Sequence, residues 1–278
     1  MLEKQILPSR AGVGLRSCHY EHIAAETPDI PWFEALSDNY LCEGGPSLAH
    51  LESIRTSYPV TLHGVGMSLG STDPLDRNYL RKLKSLIKRI NPVLVSDHLC
   101  WTSFRDQYFH ELLPLPYTEE AIRHVSNRIK DVQDYLGHRI MIENVSSYLS
   151  FNHSVLTEWE FLQAIAEEAD CHILLDINNI YVSANNHGFN PEDYLSGLTA
   201  NRIAQFHLAG HENHQTYLLD THSATVCPPV WQLFDKALEK FGPVPTIIEW
   251  DNQIPDFSTL QQDAIAADKL IDKYVNID

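Results

Sequence analysis

The chain has 278 residues, 44% of them hydrophobic and 10% aromatic, enough for one large core and within the size range of a single (β/α)₈ domain. Its formal charge is −17, with 37 Asp and Glu against 20 Lys and Arg, which argues against a nucleic-acid enzyme, since such proteins offer basic surfaces to phosphates. No run approaches the roughly 18 apolar residues of a membrane span, the amino-terminal MLEKQILPSRAGVG has no secretory pattern, and the five scattered cysteines (Cys18, Cys42, Cys100, Cys171, Cys227) form no C-x-x-C pair; together these predict a cytoplasmic protein with reduced thiols and no membrane or nucleic-acid partner.

In chain order, short β-branched runs at 12–16, 32–37 and 59–63 read as the first three strands. A helix is predicted over 73–90, with Pro74 in its first turn and Leu80, Leu83, Ile87 and Ile90 at helical spacing before Asn91-Pro92 stops it. The fourth strand, 92–97, is followed by a helix over 118–136, whose stripe Ile122, Val125, Ile129, Val132, Leu136 ends at Gly137. The fifth strand is 139–143. Thr157-x-x-Glu160 is a capping-box pattern that opens the next helix. Strands at 172–176, 203–207 and 246–249 complete eight, with helices at 230–241 and 260–274.

Strand and helix alternating eight times predicts one domain over 1–278, a closed (β/α)₈ TIM barrel with its core at about 11–255 and a carboxy-terminal helix at about 257–275. A doubly wound open sheet is the competing topology. The glycine-bearing GVGMSLG (64–70) lacks a dinucleotide fingerprint and reads as a flexible mouth loop. No phosphate-binding loop, G-x-S-x-G elbow or H-E-x-x-H motif is present.

The strand ends carry the chemistry. From the third strand onward they end at His63, His98, Glu143, Asp176, His207 and Glu249. In a barrel these ends converge on one face. A polar residue just past an apolar strand is ordinary loop chemistry, and any one of the six could be only that. Six in succession are harder to dismiss, because three unpaired carboxylates in one concave mouth would repel one another and lose hydration unless cations were present. The donors are nitrogen and oxygen, which suits Fe, Mn or Zn. Asp220 and His222 form an Asp-x-His in the loop after the seventh strand, a pattern that also serves as a plain polar turn. His211 follows His207 by four positions and is placed to reach the pocket, His110 and Glu111 are left open, and His19, His124, His138, His153, His172, His187 and His214 read as surface or helix residues.

The series His63, His98, Glu143, Asp176, His207, Asp220-x-His222, Glu249 resembles the xylose-isomerase-like barrels, which include apurinic-site endonucleases with three metals. Within that group, GVGLR, FEALSDNY, HGVGMSLGS, SDHLCW, LPLPYT, IENVSSY, LLDINNIYVSA, FHLAGH and IIEWD resemble the multinuclear non-heme iron-dependent oxidative enzymes. That family was long catalogued as uncharacterised, and its best-known relatives act in methanobactin biosynthesis. The resemblance runs from about Gly12 to Asp251.

It implies one iron at His63, His98 and Glu143, and a second at Glu143, Asp176, His207 and Glu249, with Glu143 bridging. A third would lie at Asp220, His222 and Asn179, where the related endonucleases have a histidine in place of Asn179. Glu143, Asp176 and His207 carry catalysis in this reading, and Asn144, His211, Arg16 and Asp251 are candidate substrate contacts. The implied reaction uses an iron pair and O₂ to oxidise a residue, often cysteine, of a ribosomally made precursor peptide. A partner protein that recognises the peptide leader is implied too. Zinc or manganese could occupy the same donors after purification. The competing functions are a metal-dependent phosphodiester hydrolase, a sugar isomerase and a barrel without turnover. The −17 charge counts against the first, and the lack of a lysine at the strand ends against the second.

Overall fold

The structure is a computed structural model that describes residues 7–105 and 107–275. Twelve strands are assigned among these residues: β1 (Ala11–Leu15), β2 (Phe33–Leu36), β3 (Val60–Gly64), β4 (Val95–His98), β5 (Trp101–Phe104), β6 (Gln107–Leu113), β7 (Met141–Glu143), β8 (His172–Asp176), β9 (Ile203–Leu208), β10 (Glu212–Asn213), β11 (Leu218–Leu219) and β12 (Thr246–Ile248). Eight of them close into a parallel barrel in the order β1-β12-β9-β8-β7-β4-β3-β2. The closed barrel therefore replaces the open-sheet alternative. β1 pairs with both β2 and β12, which joins the first strand to the last.

The helices are α1 (Tyr20–Glu26), α2 (Pro46–Ser57), α3 (Arg77–Ile90), α4 (Glu119–Leu136), α5 (Glu158–Glu168), α6 (Ile177–His187), α7 (Pro191–Ser196), α8 (Pro228–Phe241) and α9 (Phe257–Ile271). α3 begins later than Pro74 suggested. The Asp76 carboxylate accepts the amides of Asn78 and Tyr79 at 2.8 and 3.1 Å, and this cap sets the first turn. Its end is as read, with Asn91 in the left-handed region at φ +50°. Thr118 and Gly137 bound α4, and both arms of the Thr157–Glu160 capping box are formed at α5.

Outward strand residues and the inner helix stripes make a continuous core: Phe206 of β9 packs edge-on against Phe234 of α8 at 5.7 Å. Gly12 permits the close approach of β1 to β2, since a Cβ there would lie 2.6 Å from the Trp32 carbonyl. Two additions to the eight-fold pattern crown the strand-end face. β5 and β6 form an antiparallel hairpin between β4 and α4, and β10 and β11 form a smaller one between β9 and α8. The 64–70 segment is not loose. Met67, Ser68, Leu69 and Gly70 are buried, the Met67 amide donates to Asp97 at 3.1 Å, and the Gly70 amide donates to the Cys100 carbonyl at 2.7 Å.

Candidate metal centre

Side chains alternate along a strand, so residues two apart share a face. Thr61 and His63 on β3, Ser96 and His98 on β4, and Gln205 and His207 on β9 are three such pairs. The lumen is identified by contacts between strands that are not neighbours. Glu34 of β2 reaches His207 of β9 at 2.6 Å, across the width of β1 and β12. Glu34, Thr61, Ser96 and Gln205 are therefore buried polar residues below the mouth, and His63, His98 and His207 stand one step above the last three. All six strand-end donors, with Asn179 and His222, are buried.

Their donor atoms fall into groups. His63 Nε2, His98 Nε2 and a Glu143 oxygen form the first, with Glu143 Oε2 at 3.1 Å from His63 and 3.2 Å from His98, and the two imidazole nitrogens 3.4 Å apart. The other Glu143 oxygen, Oε1, faces His207 Nδ1 at 3.3 Å, which is 2.9 Å from Glu249 Oε2 and 4.0 Å from Asp176 Oδ2. Glu143, Asp176, His207 and Glu249 make the second group, and Glu143 shows one oxygen to each. His222 lies at the edge of the second, with Nε2 2.8 Å from Asp220 Oδ1 and Nδ1 3.3 Å from Glu249 and 2.9 Å from Asp251. His222, Glu249 and Asp251 thereby form a third trio. Donors bound at about 2.1 Å to one ion stand about 3.0–3.4 Å apart, the spacing of the first group, while the second spans 2.9–4.0 Å.

Hydrogen bonding alone does not satisfy these atoms. Glu143 Oε2, Asp176 Oδ2, Asn179 Oδ1, His207 Nδ1 and His222 Nε2 are all buried without a hydrogen-bond partner, although oppositely charged groups lie within about 4 Å of several of them. An orphaned buried polar atom is costly, about 1–3 kcal/mol. Five in one mouth are the pattern expected of lone pairs aimed at a shared cation. The residues present therefore fit a multinuclear centre of hard and borderline metals.

The charged groups of the cluster shift one another's protonation. Burial opposes ionisation of Glu143, yet His98, His207 and His63 together hold its carboxyl well below the usual range. Burial likewise disfavours the His207 cation, but Glu34, Glu249 and Glu143 raise its pKa well above the ordinary value, and His63, against the same burial, is pushed up to about 9, chiefly by Glu143. Asp176, buried and near Glu143 and Asp220, is raised well above the carboxylate range.

Each histidine has its other nitrogen tied. His63 Nδ1 pairs with Ser96 Oγ at 2.7 Å, His98 Nδ1 with Gly64 O at 3.1 Å, His207 Nε2 with Glu34 Oε1 at 2.6 Å, and His222 Nδ1 with Asp251 Oδ2 at 2.9 Å. Such outer partners fix the tautomer and ring orientation of a ligating imidazole. Sequence reading missed Glu34, whose Oε2 also accepts from Thr61 and Gln205 at 2.9 and 2.6 Å, and Asp97, which braces the Met67 and His98 amides. A lone carboxylate inside the apolar run Trp32-Phe33-Glu34-Ala35-Leu36 was the available signal.

The remaining candidates are engaged within the protein. Asn144 donates to the Asp176 carbonyl at 3.0 Å and accepts the Asp176 amide at 2.9 Å. Asp176 itself caps α6 through the Asn179 amide at 2.7 Å, and Asn179 Nδ2 donates to Asn144 O at 3.0 Å. Arg16 bonds Trp250 O and Asp251, while His211 Nδ1 pairs with Asn178 Oδ1 at 2.7 Å. A cavity of about 570 Å³ opens above the cluster, and His110 and Glu111 of β6 line it together with Asp220 and His222. Among the histidines read as surface or helix residues, His19 is buried edge-on against Phe257.

Comparison with known proteins identifies relatives of the chain. A UPF0276 protein of Acaryochloris marina is 58% identical over 93% of this chain and 93% of its own length. A UPF0276 protein of Anaeromyxobacter sp. is 53% identical over 91% of this chain and 89% of its own. The fold resembles that of D-psicose 3-epimerase crystallised with D-fructose (TM-score 0.61, 14% identity, 96% and 99% of the two chains) and of endonuclease IV from Thermus thermophilus (TM-score 0.61, 13% identity, 95% and 99%). At these identities the likeness concerns the barrel fold alone. The profile of the family described as RiPP precursor modification enzyme MbnB/TglH/ChrH matches residues 10–272, nearly the whole chain, and to that family this protein belongs.

Proposed function

We propose that the protein is a multinuclear, iron-dependent, O₂-using oxidative enzyme that modifies a residue, cysteine by preference, of a ribosomally made precursor peptide. The observation that carries this reading is the convergence of five orphaned buried donor atoms on one barrel mouth, in a chain of a RiPP-modifying family. His63, His98 and Glu143 would hold one ion, and Glu143, Asp176, His207 and Glu249 the second. Asp220, His222 and Asn179 would hold a third. Bound iron supplies one-electron chemistry with O₂ that no protein side chain provides.

The chain's own part is placement. Glu143 fixes the spacing of the two main sites, because its two oxygens face different groups 3.1–3.3 Å away. Glu34, Thr61 and Gln205 are buried and bonded to one another beneath the donors, and the cavity opens at the strand-end face, where a substrate would enter. The cavity there, about 570 Å³, is large enough for a peptide residue and its neighbours, not for a folded domain. The acidic surface suits a basic leader or a basic leader-binding partner. No helix of the described residues is long and apolar enough to cross a membrane, and with all five cysteines free we assign the protein to the cytoplasm.

Metal analysis of protein made in iron-rich cells, with Mössbauer and EPR spectra, tests the reading. Two or three irons per chain with an exchange-coupled signal are expected. Stoichiometric zinc that iron cannot replace would move the assignment to a hydrolase. Glu143→Gln is expected to lose both main ions together, since one carboxylate serves two cations, and full metal content in that variant would overturn the bridge.

A further inference from the structure

We propose that Asp251 is a positioning residue, clamped by Arg16, that holds His222 by Nδ1 and so turns Nε2 toward the third ion site beside Asp220. The inference rests on the reading of the mouth as a metal centre, and it gives Asp251 and Arg16 a role other than substrate contact.

The chain of contacts is continuous. Arg16 Nε donates to the Trp250 carbonyl at 2.7 Å and Nη1 to the Leu15 carbonyl at 3.2 Å, while Nη2 donates to Asp251 Oδ1 at 2.6 Å. The second Asp251 oxygen lies 2.9 Å from His222 Nδ1 in hydrogen-bonding geometry. A carboxylate only accepts, so this contact places a proton on Nδ1 and, in the neutral ring, leaves the lone pair on Nε2. That Nε2 lies 2.8 Å from Asp220 Oδ1, yet it is buried without a hydrogen bond, as expected of two donors aimed at a common third point. Asp220 is itself fixed, because Asn178 Nδ2 donates to the same Oδ1 at 2.7 Å.

The backbone supports the same assignment. His222 adopts φ +46°, the left-handed region that a residue with a Cβ seldom enters without a constraint. The constraint is visible: the amides of Asp251 and Asn252 both donate to the His222 carbonyl, at 2.9 and 3.4 Å, and Asn252 Nδ2 donates to the Thr221 carbonyl at 2.8 Å. The loop after β12 thus grips the His222 loop by main chain and side chain together. His207 shows the same arrangement with the nitrogens exchanged, Glu34 holding Nε2 and Nδ1 left for the cluster. The competing geometry uses the same atoms differently: Asp251 and Glu249 as direct ligands beside His222 Nδ1.

Zinc-loaded, ¹⁵N-labelled protein separates the two, because zinc is diamagnetic and histidine ring nitrogens report proton and metal by their shifts. The wild type is expected to bind a third zinc with His222 Nε2 metal-bound and Nδ1 protonated. Asp251→Ala is expected to weaken the third zinc about 10–100-fold while the other two remain. Asp251→Asn, whose amide oxygen still accepts from Nδ1–H, is expected to recover part of that loss. Zinc on His222 Nδ1 in the wild type would overturn the proposal, and that assignment decides the matter even if the alanine variant does not fold. An unchanged third affinity in Asp251→Ala, or an asparagine variant no better than alanine, would overturn it as well. Uptake of two zincs only by the wild type would sink this inference and leave the main pair standing, whereas uptake of none would sink the metal centre with it.

Discussion

Glu34 is buried, and its hydrogen-bonding partners are the His207 ring, the Thr61 hydroxyl and the Gln205 amide. A buried carboxylate so placed is stabilised by the hydrogens pointed at it, and His207 and Gln205 make the two shortest contacts, each at 2.6 Å. Removing the charge while keeping the shape should make the imidazole a poorer donor without opening a cavity. Glu34→Gln is therefore expected to weaken the ion proposed at Glu143, Asp176, His207 and Glu249 by about 10–100-fold and to spare the one proposed at His63 and His98. Competition titration with a chelator of known affinity measures both in one experiment, and equal loss at the two sites would place Glu34 in general stability instead. The residue identities at the strand ends were legible in the sequence because each lies at the end of a short strand-like run. The floor beneath them was not, since Glu34 and Gln205 acquire meaning only when β2 faces β9 across the lumen.

At the scale of elements, local rules worked where one chain segment settles the matter. The Thr157–Glu160 box and the Gly137 stop are decided within a single turn. For α3 two start signals competed, Pro74 and Asp76, and the carboxylate that satisfies two amides prevailed over the ring that merely tolerates the position. Asp76→Ala is expected to lower stability by about 1 kcal/mol. A urea midpoint indistinguishable from wild type would show that the cap contributes nothing beyond solvent. The β5–β6 hairpin escaped notice because its residues, Trp101–Phe104 and Gln107–Leu113, lean over a face instead of joining the barrel. Tyr108 and Phe109 remain exposed there, so no buried alternation marks the strands.

For the whole molecule, distant segments create environments that no segment has alone. Glu158 opens α5, where a free carboxylate would be stabilised by the helix start. Instead its carboxyl lies beneath Tyr194, whose hydroxyl donates at 2.9 Å, and near Tyr117, and burial raises its pKa to about 7. A folded-state value above the ordinary 4.5 means that the folded chain holds the proton more tightly than the unfolded one between about pH 4.5 and 7. This contribution to stability is therefore present at acid pH and is lost as pH rises through 7. Glu158→Gln, neutral throughout, is expected to gain stability relative to wild type at about pH 8 and to lose that advantage toward about pH 5. Thermal midpoints of the two proteins across this range test it, and parallel profiles would remove Glu158 as the cause.

Taken by itself, the sequence determined the class of fold and the donor set. Period-two and period-3.6 patterns are local, and the six strand-end donors needed only the rule that parallel strands of a barrel end on one face. Tertiary structure decided what those donors do to one another. That Glu143 divides its oxygens between two groups, that His207 is backed by Glu34, and that Arg16 and Asp251 close on His222 all depend on distances between strands far apart in sequence. Barrel closure sets those distances, and closure is a property of all eight strands together.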